Sequence, residues 1–304
     1  MALSGVVPAR ASFAGSNGHI AFVDGANNGL FSEGYLFTVR ADGSGRTRIT
    51  SAPAFSAPQW SPNGRRLAVE HSGDVWTMSP TGASLVRVTT NPADDFEPTW
   101  SPDGASLAFV SNRTGVRNIF VIHAAKPFGS PRQVTRYAPN STGDVTDFAT
   151  SPRWSPDGQA IMFRHWHSSG EEPVAALARV PAIGGAVTAI PTGSGHVLGS
   201  DFAPSGSQIA FSTFQDPFHN LAPTRLAVAN DDGSSPRVLL ADNGDPATHE
   251  ARKVFGDVAW APSGAYLVFT KGGTQSGLWR IRVADRQERQ LSATGRQPAW
   301  QPFP

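Results

Sequence analysis

Short apolar runs recur along the chain: Leu67-Ala68-Val69, Leu107-Ala108-Phe109, Ile161-Met162-Phe163, Ile209-Ala210-Phe211 and Leu267-Val268-Phe269. Each follows the same kind of polar phrase: Trp60-Ser61-Pro62-Asn63-Gly64, Trp100-Ser101-Pro102-Asp103-Gly104, Trp154-Ser155-Pro156-Asp157-Gly158, Phe202-Ala203-Pro204-Ser205-Gly206 and Trp260-Ala261-Pro262-Ser263-Gly264. A truncated copy, Trp300-Gln301-Pro302, ends the series. Runs this short, rich in β-branched and aromatic residues and bounded by Pro and Gly, predict strands. Between two anchors, Asp94–Trp100, Leu107–Val110, Asn118–Ile122 and Arg132–Thr135 read as four successive strands. The phrase itself suits a tight turn, because Pro presets φ and Gly leaves without steric penalty.

Two of the intervals between anchors are forty residues, Trp60 to Trp100 and Trp260 to Trp300, and the others are lengthened by insertions. A unit near forty residues fits a four-stranded propeller blade. The N-terminal Gly18-His19-Ile20-Ala21-Phe22 matches the apolar half of a repeat, and the last Trp has no apolar half after it. Gln297-Pro298-Ala299-Trp300 is therefore expected to complete the blade that the N-terminus begins, closing the ring and removing open sheet edges. The expectation is an all-β, six-bladed β-propeller of four-stranded antiparallel blades, a single domain over residues 12–304 behind a tail of residues 1–11.

The phrase Pro-x-Trp-Ser-Pro-Asp-Gly-x-x-Leu-Ala-Phe resembles the repeat of TolB-like propellers, a six-bladed class related to WD40, over essentially the whole chain. TolB carries a further N-terminal domain with no match in these 304 residues, so the resemblance implies the fold and not the partner. TolB-like relatives are commonly exported, which implies a periplasmic or extracellular place. They bind peptides, proteins or small ligands, which implies a binding role.

Composition narrows the field. A chain of this length with no Cys and a net charge of +1 can bury a core without covalent staples and has no basic surplus for nucleic acid. The 25 Pro and 31 Gly fall at repeat turns instead of forming a disordered tract. No stretch reaches the ~20 apolar residues of a membrane-spanning helix. Met1–Arg10 lacks a charged start and a long apolar segment, and does not read as a signal peptide.

In an up-and-down blade the Trp-Ser-Pro turns and the third-to-fourth connections share one face, and both are short. The opposite face carries the insertions, residues 136–150, 164–173, 191–200, 212–223 and 241–257. Long loops on a rigid ring are where function concentrates. Of the eight His, six belong to that face: His71, His165, His167, His196, His219 and His249. His165, His167, His196, His219 and His249 are the candidate acid–base residues. Candidate ligand contacts are Glu97, Asp147, Arg164, Trp166 and Phe214, joined by Phe218, Glu250, Phe255 and Asp257. Convergent polar groups with aromatic walls are what a small-molecule site needs.

If the second strand of its blade persists through Arg164-His165-Trp166-His167, His165 and His167 point the same way, as a metal pair or an acid–base pair requires. A divalent metal is the only cofactor this pattern suggests, and it needs a third ligand. Glu97 and Asp257 stand three residues before their Trp and are expected either to face the channel or to accept hydrogen bonds from the next blade's backbone. The recurring Trp belong to inter-blade packing. No Gly-x-Ser-x-Gly elbow, phosphate-binding loop or His-Glu-x-x-His is present. The readings that remain are a propeller binding a small-molecule, peptide or protein ligand at the long-loop face and, alternatively, a lyase, isomerase or cyclase acting on a sugar or an apolar metabolite in the same funnel.

Overall fold

The computed structural model describes residues 14–25, 33–168, 174–193, 195–214, 224–242, 254–272 and 275–303. Its strands follow the repeat. β1 (Ser16–Asp24), β2 (Tyr35–Val39) and β3 (Thr47–Arg48) are followed by β4 (Phe55–Trp60), β5 (Leu67–His71), β6 (Asp74–Met78) and β7 (Val86–Arg87). Next come β8 (Asp95–Trp100), β9 (Ser106–Ser111), β10 (Asn118–His123) and β11 (Arg132–Gln133), then β12 (Asp147–Trp154), β13 (Ala160–His167), β14 (Val174–Pro181) and β15 (Thr188–Ile190). β16 (His196–Phe202), β17 (Gln208–Phe214), β18 (Thr224–Asn230) and β19 (Arg237–Asp242) precede β20 (Phe255–Trp260), β21 (Tyr266–Lys271), β22 (Gly277–Arg282), β23 (Glu288–Ser292) and β24 (Arg296–Phe303).

These strands form six antiparallel sheets of four. Blade 1 is β24-β1-β2-β3, and blades 2 to 6 take the remaining strands in chain order. The C-terminal strand does close the ring: β24 pairs with β1, with Ile20 opposite Trp300. Gln301 locks the joint, donating from Nε2 to the Gly64 carbonyl at 2.8 Å and accepting the His19 N–H on Oε1 at 3.1 Å.

Alternation along the second strand of each blade builds the core. Leu107 and Phe109 face back onto Ala68, Val75 and Val88 of blade 2, while Ala108 faces forward onto Trp154, Ile161 and Phe163 of blade 4. The anchor Trp packs in the same seams. Trp100 is 3% exposed, and its indole N–H donates to the Gln59 carbonyl of the preceding blade at 3.2 Å. The turn after each anchor is tight, as its sequence predicts. In blade 3 the Gly104 amide donates to Ser101 O at 2.9 Å, and Gly104 takes φ of 69°, where a side chain would be strained.

Every innermost strand carries a bulge near the third residue before its anchor, seen as register breaks at Ser56/Gln59, Phe96/Thr99, Thr150/Arg153, Val197/Gly199 and Phe255/Val258 and in the β1–β24 pairing. Ala57, Glu97, Ser151 and Gln297 sit there at φ of 46°, 52°, 53° and 52°. A bulge takes one amide out of the ladder, and that amide must find another acceptor. Blade 4 also stands taller than blades 2 and 3: β12, β13 and β14 are each eight residues long, against five or six in β4 to β6 and six in β8 to β10.

Candidate functional site

The channel wall is built from two layers of the inner strands. Residues next to the anchors, Gln59, Thr99, Arg153, Asp201, Ala259 and Ala299, line one cavity of about 50 Å³ together with the Trp rings. Residues three before the anchors, Ala57, Glu97, Ser151, Asp257 and Gln297, line a second of about 40 Å³ on the long-loop side. Both are sized for a few waters.

The polar groups of the upper layer are used between blades. Glu97 accepts the Ser151 N–H on Oε2 at 2.6 Å and the Ser151 hydroxyl on Oε1 at 3.2 Å. Asp257 accepts the Gln297 N–H at 2.9 Å, and Gln297 Oε1 in turn accepts the Ala57 N–H at 2.9 Å. Side chains of one blade thus receive the amides that the next blade's bulge has freed. In the lower layer Asp201 accepts the Trp260 N–H at 2.8 Å and lies 4.0 Å from the Arg153 guanidinium. Of the two expectations for Glu97 and Asp257, they meet both: they line the channel and they bind the neighbouring backbone.

Strand β13 does persist through His167, pairing with both β12 and β14 to its end. Its side chains therefore divide between two faces. On the blade 3 side, His165 Nε2 and His167 Nδ1 both hydrogen-bond Asp147 Oδ1, at 2.7 and 2.9 Å, and the Thr146 hydroxyl donates to Oδ2 at 3.0 Å. Burial pushes the Asp147 carboxyl up, but the bonds from His167, His165 and Thr146 outweigh it and hold it below the usual carboxylate value. Tyr137 stacks on His165 at 4.9 Å, and burial with the Asp147 charge pushes its phenol well up. His165 is enclosed between these partners; the His167 side chain is 56% exposed.

On the opposite face Trp166 stacks on Phe148 at 5.6 Å and donates its indole N–H to the Thr150 hydroxyl at 3.0 Å. Arg164 ties three blades together. It donates to the Leu198 carbonyl of blade 5 at 3.1 Å and lies 4.0 Å from Glu97 of blade 3. His196 stands 6.4 Å from the Trp166 ring and accepts the Ala175 N–H on Nδ1 at 3.3 Å. The candidate histidines are thereby split, His165 and His167 on one side of blade 4 and His196 on the other. Phe214 is half-buried opposite His196 at the end of β17. Phe255 is 2% exposed against Phe269 and packs a seam. His71 stacks on Phe55 at 4.3 Å and hydrogen-bonds the Ala54 carbonyl. Phe218, His219, His249 and Glu250 lie outside the described residues.

Among the described residues no group of three or more His, Asp or Glu is arranged to hold a metal ion. His165 and His167 converge on a carboxylate oxygen instead. Sequence reasoning overlooked Glu70, half-buried on β5, whose carboxyl burial pushes up to about 7, with Glu97 and Glu33 adding in the same sense. Only the packing of blade 2 against blade 3 reveals it. Arg153 went unremarked too, although its place beside an anchor was a visible signal. The turn face is less bare than its short turns suggest. A cavity of about 540 Å³ between blades 4 and 5 is lined by Pro156, Arg179, Phe202 and Asp231, where Phe202 stands in for the Trp of other blades.

Comparisons with known proteins agree with this architecture. The uncharacterized peptidase YuxL of Bacillus subtilis (strain 168) is 28% identical over 124 residues, which is 38% of this chain and 18% of that protein. The chain thus spans under a fifth of that relative. TolB from Acinetobacter baumannii superposes with a TM-score of 0.70 at 16% identity, covering 94% of this chain and 67% of that one. An oligogalacturonate lyase in complex with manganese superposes with a TM-score of 0.53 at 16% identity, covering 92% and 74%. At these identities the likeness is one of fold. The family description TolB beta propeller domain, PD40, matches residues 11–245. With the anchors, the six closed blades and that match in agreement, the chain belongs to the TolB β-propeller family.

Proposed function

We propose that this chain is a binding propeller whose long-loop end, over blades 3 to 5, takes a peptide or protein partner. The observation that carries this is the use made of the channel wall. Its carboxylates hold neighbouring blades together, and its cavities of about 40 and 50 Å³ are well below the several hundred Å³ of a metabolite site. The channel therefore has no room for such a ligand, and this reading places the partner on the rim, at the end opposite the turn-face cavity between blades 4 and 5. There the tall blade 4 offers half-buried Phe148 and Trp166, the exposed His167, and Val145 and Val174 at 46% and 45% exposure. Aromatic and apolar groups edged by polar ones are the composition of a recognition surface.

The test is photo-crosslinking in cells, with the reactive residue at Trp166 in one variant and at Asp157, on the turn face, in another. A discrete adduct from position 166 alone is the expected result. Adducts from position 157 only, or from neither, defeat the reading.

One observation favours a second reading, catalysis at the same rim. Asp147 orients His167 through Nδ1 and leaves Nε2 to take or give a proton, which is how a carboxylate prepares an imidazole for general acid–base work. Turnover of oligogalacturonides, with and without manganese, that is lost in His167→Ala would establish it. The finer proposal of a divalent metal at His165 and His167 needs the Asp147 bonds to be given up. Mass spectrometry of protein purified without added metal decides it, since one equivalent of metal lost in the His165→Ala/His167→Ala variant is required.

A further inference from the structure

Four cations among the described residues lie over two aromatic rings each. Arg46 rests on Phe22 and Phe37, Arg113 on Phe109 and Phe120, and Lys271 on Phe269 and Trp279. Each of these three also has a carboxylate from its own chain: Asp24 for Arg46, Asp95 for Arg113 at 2.8 Å, and Glu288 for Lys271 at 2.5 Å. The fourth is Arg117, whose guanidinium lies 5.0 Å from the Phe96 ring and 5.7 Å from the Phe148 ring. Among the described residues it has no carboxylate. A guanidinium held between ring faces keeps its N–H edges for an anion, and its planar fork matches a carboxylate.

The acids around it are already engaged. Asp95 holds Arg113 through both oxygens, Glu97 holds Ser151, Asp147 holds two histidines and Asp94 accepts from Asn112. The position of Arg117 is also fixed. Its carbonyl accepts the Ala149 N–H of blade 4 at 3.0 Å. The next residue, Asn118, is fully buried, with its side chain bonded to Thr114, Thr135 and Tyr137. Arg117 itself is exposed on the β9–β10 connection at the long-loop end, and Phe148 continues from it into the stack with Trp166.

We propose that Arg117 anchors an acidic side chain of an extended peptide segment of the partner, with the Phe148–Trp166 stack taking an apolar side chain beside it. This rests on the reading of the long-loop end as a binding face. Charge complementarity selects the occupant, because the protein supplies the rings and the cation and withholds the anion that it gives to the three similar cations.

The experiment uses the purified full chain on an array of random peptides with amidated C-termini, followed by Kd measurements on the best-retained peptide with Arg117→Gln, Arg117→Lys and Trp166→Ala. The retained peptides are expected to be enriched in Asp or Glu next to an apolar residue. Arg117→Gln should weaken the best peptide about tenfold or more, as loss of a charge-assisted hydrogen bond does, and flatten its salt dependence; Arg117→Lys should fall between. Peptides with no acidic preference, or an Arg117→Gln affinity within about twofold of the parent, overturn the anchor. Amidation removes the C-terminal carboxylate, so acidic peptides retained only with a free C-terminus also overturn the side-chain assignment. If Trp166→Ala weakens binding and Arg117→Gln does not, the binding face stands and the anchor falls. If neither variant matters, or no peptide is retained, both fall. Melting temperatures of the variants confirm folding, and Arg117→Lys keeps the charge should Arg117→Gln prove unstable.

Discussion

Glu97 of blade 3 receives the backbone N–H of Ser151 of blade 4 on its carboxylate at 2.6 Å, so a side chain of one bulge caps the amide freed by the next. Removing the acceptor leaves that amide without its partner at a half-buried place. Glu97→Ala should therefore cost about 1–3 kcal/mol. Glu97→Gln, which keeps an acceptor oxygen, should cost less than half as much. Urea unfolding of the two variants checks the order, and equal losses would show that the carboxylate charge, through Arg164 at 4.0 Å, matters more than the cap.

Glu70 makes stability depend on pH in an unusual direction for a carboxyl. Burial raises it from an ordinary value of 4.5 to about 7, so between those two values the folded state binds more protons than the unfolded one. Stability from this group is fully present below pH 4.5 and is lost as pH rises through about 7. Glu70→Gln should match the parent near pH 4.5 and exceed it at pH 8, an upper limit about one unit beyond the folded value. Urea midpoints across that range decide it, and parallel curves for parent and variant would contradict the assignment.

The fold was legible because its determinants are local and repeated. Pro and Gly at fixed offsets from Trp60, Trp100 and Trp154 mark turns, and the alternation at Leu107-Ala108-Phe109 marks which face meets which neighbour. Even the persistence of the strand to His167, on which the orientation of His165 depends, was a statement about period two. What the sequence withheld is relational. Nothing near Glu70 reveals that blade 3 will bury it, and nothing near Arg117 reveals that Phe96 and Phe148, from two different blades, will flank it. The relative placement of the histidines is withheld for the same reason. His165 and His196 are both at the rim, but the sheet of blade 4 stands between them.

Gly199 occupies the bulge position of blade 5 without a side chain to pass on. A Cβ there would meet the Asp257 Cα and the Val258 N at 2.9 Å, both backbone atoms of the next blade. Backbone cannot swing aside as a flexible side chain can. Gly199→Ala should cost about 1–3 kcal/mol by forcing blades 5 and 6 apart, more than an alanine replacement at Gly272, where a Cβ meets nothing nearer than 3.6 Å. Thermal unfolding of the two variants measures the difference.

Trp100→Ala tests the blade register itself. The ring is 3% exposed and bridges to Gln59 of blade 2, so its loss opens a cavity in a seam and should cost about 3–5 kcal/mol. A loss below about 1 kcal/mol would mean that the anchors do not hold the seams.

Asp147, His165 and His167 should separate structural from functional roles at the rim. The His167 side chain is 56% exposed, and His167→Ala should change stability by no more than about 0.5 kcal/mol. His165 is enclosed between Tyr137 and Asp147, and His165→Ala should cost about 1–2 kcal/mol through the lost stacking and hydrogen bond. The Asp147 carboxyl is held below its ordinary value of 3.8 by the two histidines and Thr146. Its contribution is present above that pH and is lost as pH falls through the lower folded value. Asp147→Asn should accordingly be less stable than the parent at pH 7 and converge on it in acid. A difference that persists unchanged below pH 3.8 would show that packing, and not the charged hydrogen bonds, is what Asp147 supplies. With the His167→Ala stability measured to be within that limit, a loss of partner binding or of turnover in the same variant belongs to function and not to folding.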